Sequence, residues 1–194
     1  EILKDHYQGM SKNEREGFLG IIDSETERLD RMVRRLLDLA RADTFTAGEE
    51  QTDALESLES MARRYFDQSV PVVVECSEIA VYIKMGHEAF ESAISNMIEN
   101  ARQHGGAGVR VQIRGRVVEL ADNRVFELDI CDDGPGISEG NREKIFRPFF
   151  TTARETGGSG LGLSIVQALL QAHGGSISLE PSDKGALFRL RVPM

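Results

Sequence analysis

Asp132-Asp133-Gly134-Pro135-Gly136-Ile137 follows directly on Val125 to Cys131, an apolar run that reads as a strand. The strand delivers two carboxylates and two glycines to one turn. Glycine permits positive φ and lets a flat ligand approach the backbone closely. A carboxylate at the mouth of a pocket accepts a hydrogen bond from an exocyclic amine, such as adenine N6. A plain strand-ending turn is the simpler reading of an Asp-Gly pair, and this stretch alone does not exceed it. Two others carry the argument further: Asn96-Met97-Ile98-Glu99-Asn100 upstream and Gly158-Ser159-Gly160-Leu161-Gly162-Leu163 downstream.

The chain has 194 residues, 40% hydrophobic and 28% charged, which suits one globular domain with a helical appendage. A net charge of −9, with no basic stripe to neutralise phosphates, argues against a nucleic-acid partner. A bound polyphosphate would therefore need local cations and a metal to hold it. Cys76 and Cys131 lie in apolar runs without metal-binding spacing, as lone thiols of a reducing compartment do. No run approaches the ~18 apolar residues of a membrane span. The first residue, Glu1, falls in a helical pattern, so the sequence reads as part of a longer parent.

Around these stretches the pattern changes twice. Ser11 and Glu14 form a capping box that starts a helix running to about Ala42. Phe18, Ile22, Leu29, Met32, Leu36 and Leu39 on it keep heptad spacing, an apolar seam that self-association would bury. Residues 44–52 read as a linker. Thr52 or Asp53 then caps a helix presenting Leu55, Leu58, Met61, Ala62, Tyr65 and Phe66 on one face. Pro71 to Cys76 and Val81 to Ile83 read as strands, His87 to His104 as a helix. Val109, Val111 and Ile113 alternate with polar residues in a strand with one wet face. Leu161 to His173 is helical, and Ser176 to Glu180 pairs with Leu187 to Val192 as a hairpin. Strands and helices without regular βαβ alternation predict an α+β fold, a two-layer α/β sandwich on a mixed sheet.

Asn96 and Asn100 are four residues apart, so both amides project from one helical face. Their carbonyl oxygens suit a hard cation and their NH2 groups suit phosphate, although solvent exposure would also explain them. The glycine run before Leu163 opens a helix whose free amides favour an anion; a flexible loop end is the alternative. It lacks a P-loop lysine and the strand that precedes a dinucleotide-binding turn. From Ser138 to Ser159 the chain is too long for an ordinary connection, as a lid or tether would be.

In this order the stretches resemble the ATP-binding catalytic domain of sensor histidine kinases, in the fold shared with DNA gyrase, Hsp90 and MutL. Asn96 to Ala101 is similar to the family's N box, Asp132 to Ile137 to its first glycine box. Phe146-Arg147-Pro148-Phe149-Phe150 is similar to its F box, and Gly158 to Leu163 to its second glycine box. The helix from Ser11 to Ala42 resembles the second helix of the dimerisation hairpin. The resemblance implies ATP and Mg2+ as ligands. Asp132 would accept from adenine N6, Asn100 would hold Mg2+, and Asn96 would lie beside the phosphates. His104, Gly134, Gly136, Ile137, Arg154, Gly158, Gly160, Leu161 and Gly162 complete the implied nucleotide site.

It also implies a homodimer through the hairpin, a response regulator receiver domain as partner, and a parent anchored in the bacterial inner membrane. On this reading residues 1–43 are a partial hairpin, and 53–194 the cytoplasmic catalytic domain. Two departures matter. Gln103 occupies the place of a frequent lysine, leaving Arg102, Arg147 or Arg154 to meet phosphate charge. His6, followed by Tyr7-Gln8-Gly9, lacks the phosphoacceptor's sequence context, and His87, His104 and His173 fall in the ATP-binding part. The chain is thus expected to bind ATP without phosphorylating itself. A gyrase, Hsp90 or MutL-type ATPase would carry a glutamate base where Asn96 stands. A non-catalytic nucleotide-binding regulator is the third reading.

Overall fold

In the computed structural model, which describes residues 11–23, 26, 33, 50–67, 70–106, 108–120, 123–153 and 158–194, the capping box is formed as expected. The Ser11 amide donates to Glu14 Oε2 at 2.8 Å, and the Glu14 amide reaches Ser11 Oγ at 3.4 Å. It opens helix α1, residues 12–23, on which Leu19, Ile21 and Ile22 are exposed. Leu29, Met32, Leu36 and Leu39 of the seam lie outside the described residues, as does His6.

Thr52 closes the stretch read as a linker. It is buried, donates from Oγ1 to the Met85 carbonyl at 2.7 Å, and lies in a short strand, β1 (Thr52–Asp53). Asp53 caps the next helix, α2 (Ala54–Asp67), by accepting from the Leu55 and Glu56 amides. Leu55, Leu58, Met61 and Tyr65 of α2 are buried, whereas Phe66 is 71% exposed. Each helical residue turns the side chain ~100° about the axis, which carries Phe66 past the face that Tyr65 closes.

The remaining elements are β2 (Val72–Cys76), β3 (Tyr82–Ile83), α3 (His87–His104), β4 (Val111–Glu119), β5 (Arg124–Asp132), α4 (Gly162–Ala172), β6 (Ser176–Glu180) and β7 (Leu187–Pro193). β1 pairs with β3, and the main sheet runs β2-β4-β5-β7-β6, parallel between β2 and β4 and antiparallel elsewhere. Side chains alternate across it. Ile113, Phe126, Leu128, Ile130, Phe188, Leu190 and Val192 form one core with α2, α3 and α4, so the fold is the expected α+β sandwich. None of the described helices is long and apolar enough to cross a membrane.

The other face of the sheet is an ionic lattice. Register places Glu127 between Arg116 and Arg191, and Asp129 between Arg114 and Arg189. Arg189 holds Asp129 through Nε at 2.7 Å and its second nitrogen at 2.8 Å, and Arg191 Nε reaches Glu127 at 2.7 Å. Arg116 also bonds Glu127, whose side chain is only 4% exposed under this cover. Opposite charges directly across strands stabilise the pairing they join.

The stretch after Ile137 is more folded than its composition suggests. Glu139–Asn141 form a 3-10 turn, Ile145 is buried, and Phe146 stands edge-on to Phe188 with ring centroids 6.4 Å apart. These apolar anchors bind 138–153 to the core; 154–157, including Arg154, lie outside the described residues.

Candidate functional site

β5 ends where the helical layer leaves a cavity of about 430 Å³. Asn100 and His104 come to it from α3, Asp132, Gly136 and Ile137 from the end of β5. Ile145, Phe150 and Thr152 supply another wall, and Leu163 and Ala186 close it. More of the lining surface is apolar than polar, and the polar side chains on it include Asn100, Asp132, Asn141 and Thr152.

Asp132 is the most firmly placed of these. Its Oδ1 accepts from the Gly134 amide at 2.9 Å and from the Ala186 amide at 3.2 Å. Its own amide donates to the Ala186 carbonyl at 3.1 Å. Sequence reasoning missed the Gly185-Ala186 strap that makes two of these bonds. Gly185 has φ +68°, and a Cβ there would lie 1.8 Å from the Asp132 carbonyl oxygen. A Cβ on Gly136, φ +76°, would lie 2.8 Å from the Gly185 carbonyl oxygen, so the two glycines let the segments touch. The only local sign of the strap is a glycine after a hairpin turn, which reads as turn chemistry.

The neighbouring carboxylate turns away. Asp133 Oδ1 accepts from the Arg110 amide at 2.8 Å, a bond that holds its carboxyl below the usual carboxylate range. It ties the turn to the start of β4 and does not line the cavity.

On α3, Asn96 donates from Nδ2 to the Ser92 carbonyl at 2.9 Å. Its Oδ1 faces Gly162, 3.4 Å from where a Cβ would stand. Asn96 lines a separate small cavity of about 40 Å³, and Asn100 lines both cavities. The i, i+4 pair is thus divided between two adjoining spaces. His104 Nδ1 lies 3.3 Å from Thr152 Oγ1. Burial pushes the His104 imidazole below its ordinary value, and the Asp132 charge opposes this in part.

The glycine run meets the site in pieces. Gly160 and Gly162 line the small cavity, while Gly134 lies behind Asp132, its Cβ position 2.6 Å from Gly105 Cα. The Gly158 amide donates to the Ala153 carbonyl at 2.9 Å, and Gly158 lines neither cavity. Leu161 is fully buried in the core at the start of α4, so only its backbone is near the site. No side chain caps α4, which leaves its first amides for an anion. Arg102 pairs instead with Glu99 at 2.7 Å.

The donor set suits a hard cation that arrives with its own oxygens. Among the described residues no three His, Cys, Asp or Glu side chains cluster as a metal cage. Asn100, at the boundary of the two cavities, offers one neutral carbonyl oxygen. That is enough for an ion that keeps several waters and takes phosphate oxygens.

Helices packed on one face of such a mixed sheet, with a cavity at the end of β5, define an α+β sandwich with a small-molecule-sized pocket. Residues 86–194 match the model of the histidine kinase-, DNA gyrase B-, and HSP90-like ATPase family, and the chain belongs to that family. Sensor histidine kinase CpxA of Escherichia coli K12 is 32% identical over 178 residues, 86% of this chain and 37% of CpxA. The chain thus spans little more than a third of that relative. Mycobacterial sensor histidine kinase MprB is similar in structure, with TM-score 0.63 and 25% identity over 75% of this chain and 97% of that one. Histidine kinase ThkA, solved in complex with response regulator TrrA, shares the fold at TM-score 0.68 and 20% identity, covering 98% of this chain and 54% of that one.

Proposed function

We propose that this chain is the ATP-binding part of a two-component sensor histidine kinase. The observation that carries it is Asp132, its Oδ1 fixed by two backbone amides, lining a cavity that Asn100 also lines. Asp132 accepts from the adenine amino group, and His104, Gly134, Gly136 and Ile137 shape the base pocket. Asn100 holds Mg2+, which neutralises phosphate charge when bound. Asn96, Gly160, Leu161 and Gly162 flank the phosphates through side-chain or backbone donors, Gly158 gives the turn before them its close approach to Thr151, and Arg154 supplies a cation. Residues 53–194 are the catalytic domain, 44–52 a linker and 1–43 part of a dimerisation hairpin, despite the burial of Thr52 at that boundary.

In the intact parent, the γ-phosphoryl group passes to a histidine and then to an aspartate of a response regulator receiver domain. The work of the protein in such a transfer is positioning and charge neutralisation. Asn96 cannot take a proton from water, which counts against a hydrolytic ATPase. The exposed apolar residues of α1 support a homodimer, and on this reading the domain lies on the cytoplasmic side of an inner-membrane parent. His6 lacks the phosphoacceptor's sequence context, and His87, His104 and His173 fall in the ATP-binding part, so the chain binds ATP without labelling itself.

Calorimetric titration of Asn100→Ala tests the ligand assignment. Affinity for a non-hydrolysable Mg-ATP analogue falls about tenfold, while adenosine binding stays near wild type. Equal losses for both ligands would place Asn100 in the fold or the base pocket instead.

A further inference from the structure

Asn96, Glu99, Asn100 and Gln103 recur at the i, i+3, i+4, i+7 spacing of one helical face, and all four line the cavity of about 40 Å³ beside Gly160 and Gly162. Three are neutral carboxamides. Glu99 is the one charged side chain among the described residues that line it. Arg102 binds Glu99 through Nε at 2.8 Å and a second nitrogen at 2.7 Å, and both go to Oε2. Among the described residues these bonds all end on Oε2, and none goes to the other oxygen, Oε1.

The cavity has room for about three water molecules, at roughly 10–15 Å³ each, and is too small for a phosphate chain. A magnesium-like cation requires near-octahedral oxygen coordination and retains several waters. Those waters are polarised, and each proton pointing into a low-dielectric space needs an acceptor. Asn96 cannot supply a charge, and its amide is fixed by the Ser92 carbonyl.

We propose that Glu99 is the outer-sphere anchor of the nucleotide's metal, accepting through Oε1 from the metal's water. The proposal rests on the nucleotide reading above and deepens it. Arg102 serves as the counter-charge: it fixes the carboxylate, and it offsets repulsion between Glu99 and the triphosphate. Glu99 is a positioning residue here, acting on the cation through water while Asn100 touches it directly.

The test uses the 194-residue chain, Mn2+ as the spectroscopic substitute for Mg2+, and a non-hydrolysable ATP analogue. Paramagnetic resonance gives Mn2+ affinity in the nucleotide complex, and calorimetry with chelator gives metal-free nucleotide affinity. Glu99→Gln is expected to weaken Mn2+ about tenfold, the scale of lost outer-shell ligands, with metal-free nucleotide affinity within about twofold of wild type. Glu99→Asp, which keeps the charge and shortens the reach, should weaken Mn2+ by less, and it carries the test if the first variant does not fold. Wild-type Mn2+ affinity in the folded variants would overturn the proposal and leave the nucleotide reading standing. Equal loss with and without metal would overturn it too, by making Glu99 a structural residue. A wild-type chain that binds no analogue would instead sink the nucleotide reading itself.

Discussion

Glu127 and Asp132 sit five residues apart on β5, both carboxylates, both held in place, and they face opposite sides of one sheet. Glu127 meets cations: Arg116, Arg189 at 3.4 Å and Arg191 at 2.7 Å cover it until 4% of its side chain is exposed. Asp132 meets amides: two backbone N–H groups converge on Oδ1, and among the described residues no Lys, Arg or His lies in ion-pair range. Cations cancel the charge and leave nothing for a ligand. Amides fix direction and keep the charge available to a neutral donor, which is what recognition of an amino group requires. Charge pairing on one face therefore reads as stability, and amide pairing on the other as function.

The strap behind Asp132 gives the largest way to break this contrast. Gly185→Ala adds a Cβ 1.8 Å from the Asp132 carbonyl oxygen, at φ +68°. Overpacking and left-handed strain together cost about 3 kcal/mol or more. Urea unfolding should show that loss, and nucleotide binding should fail with it. A variant with wild-type midpoint would mean that the strap yields and does not place Asp132.

Glu127→Ala should separate the two roles. It leaves three arginines without their shared carboxylate; two of them are about half exposed, so the expected loss is about 1–3 kcal/mol. Affinity for ATP in the folded protein should stay within about twofold. Stability unchanged with binding lost would reverse the assignment of faces.

The smallest effect is a pH dependence. The Arg189 guanidinium beside Asp129 holds its carboxyl below the usual carboxylate range, so the folded state binds this proton less readily than the unfolded state. The pair's contribution is therefore complete above the unfolded value of about 4 and is lost as pH falls through the lower folded value. The gap in melting temperature between wild type and Asp129→Asn should be widest near pH 6 and close as pH drops below about 4. A gap that stays constant to low pH would show that packing, not charge, links these strands.

Local patterns in the chain were legible where neighbours in sequence decide the structure. The Ser11 capping box and the helix His87–His104 follow from spacing alone. Asp132 was visible as a carboxylate after a strand, and four glycine-, asparagine- and phenylalanine-bearing stretches identified its surroundings. Contacts made between distant segments were not legible. Gly185 and Ala186 reach Asp132 across 54 residues in the Oδ1 bond, and their local sequence says only that a hairpin turns there. Burial of Glu127 depends on cross-strand register, which places arginines from β4 and β7 on both sides. Phe146 was legible as the start of the phenylalanine-bearing stretch, but its partner Phe188, on another strand, was not. Phe66 failed in the opposite sense: its helical phase was one residue beyond the face.

The central claim is that amide-held Asp132 recognises the amino group of adenine, and one titration tests it most directly. Asp132→Asn keeps the shape and an acceptor for the strap amides but removes the charge and adds a donor. A charge-assisted hydrogen bond is worth about 1.5–3 kcal/mol, so calorimetry with a non-hydrolysable ATP analogue should show at least about tenfold weaker binding with the fold intact. A folded Asp132→Asn protein that binds the analogue as tightly as wild type would contradict the account.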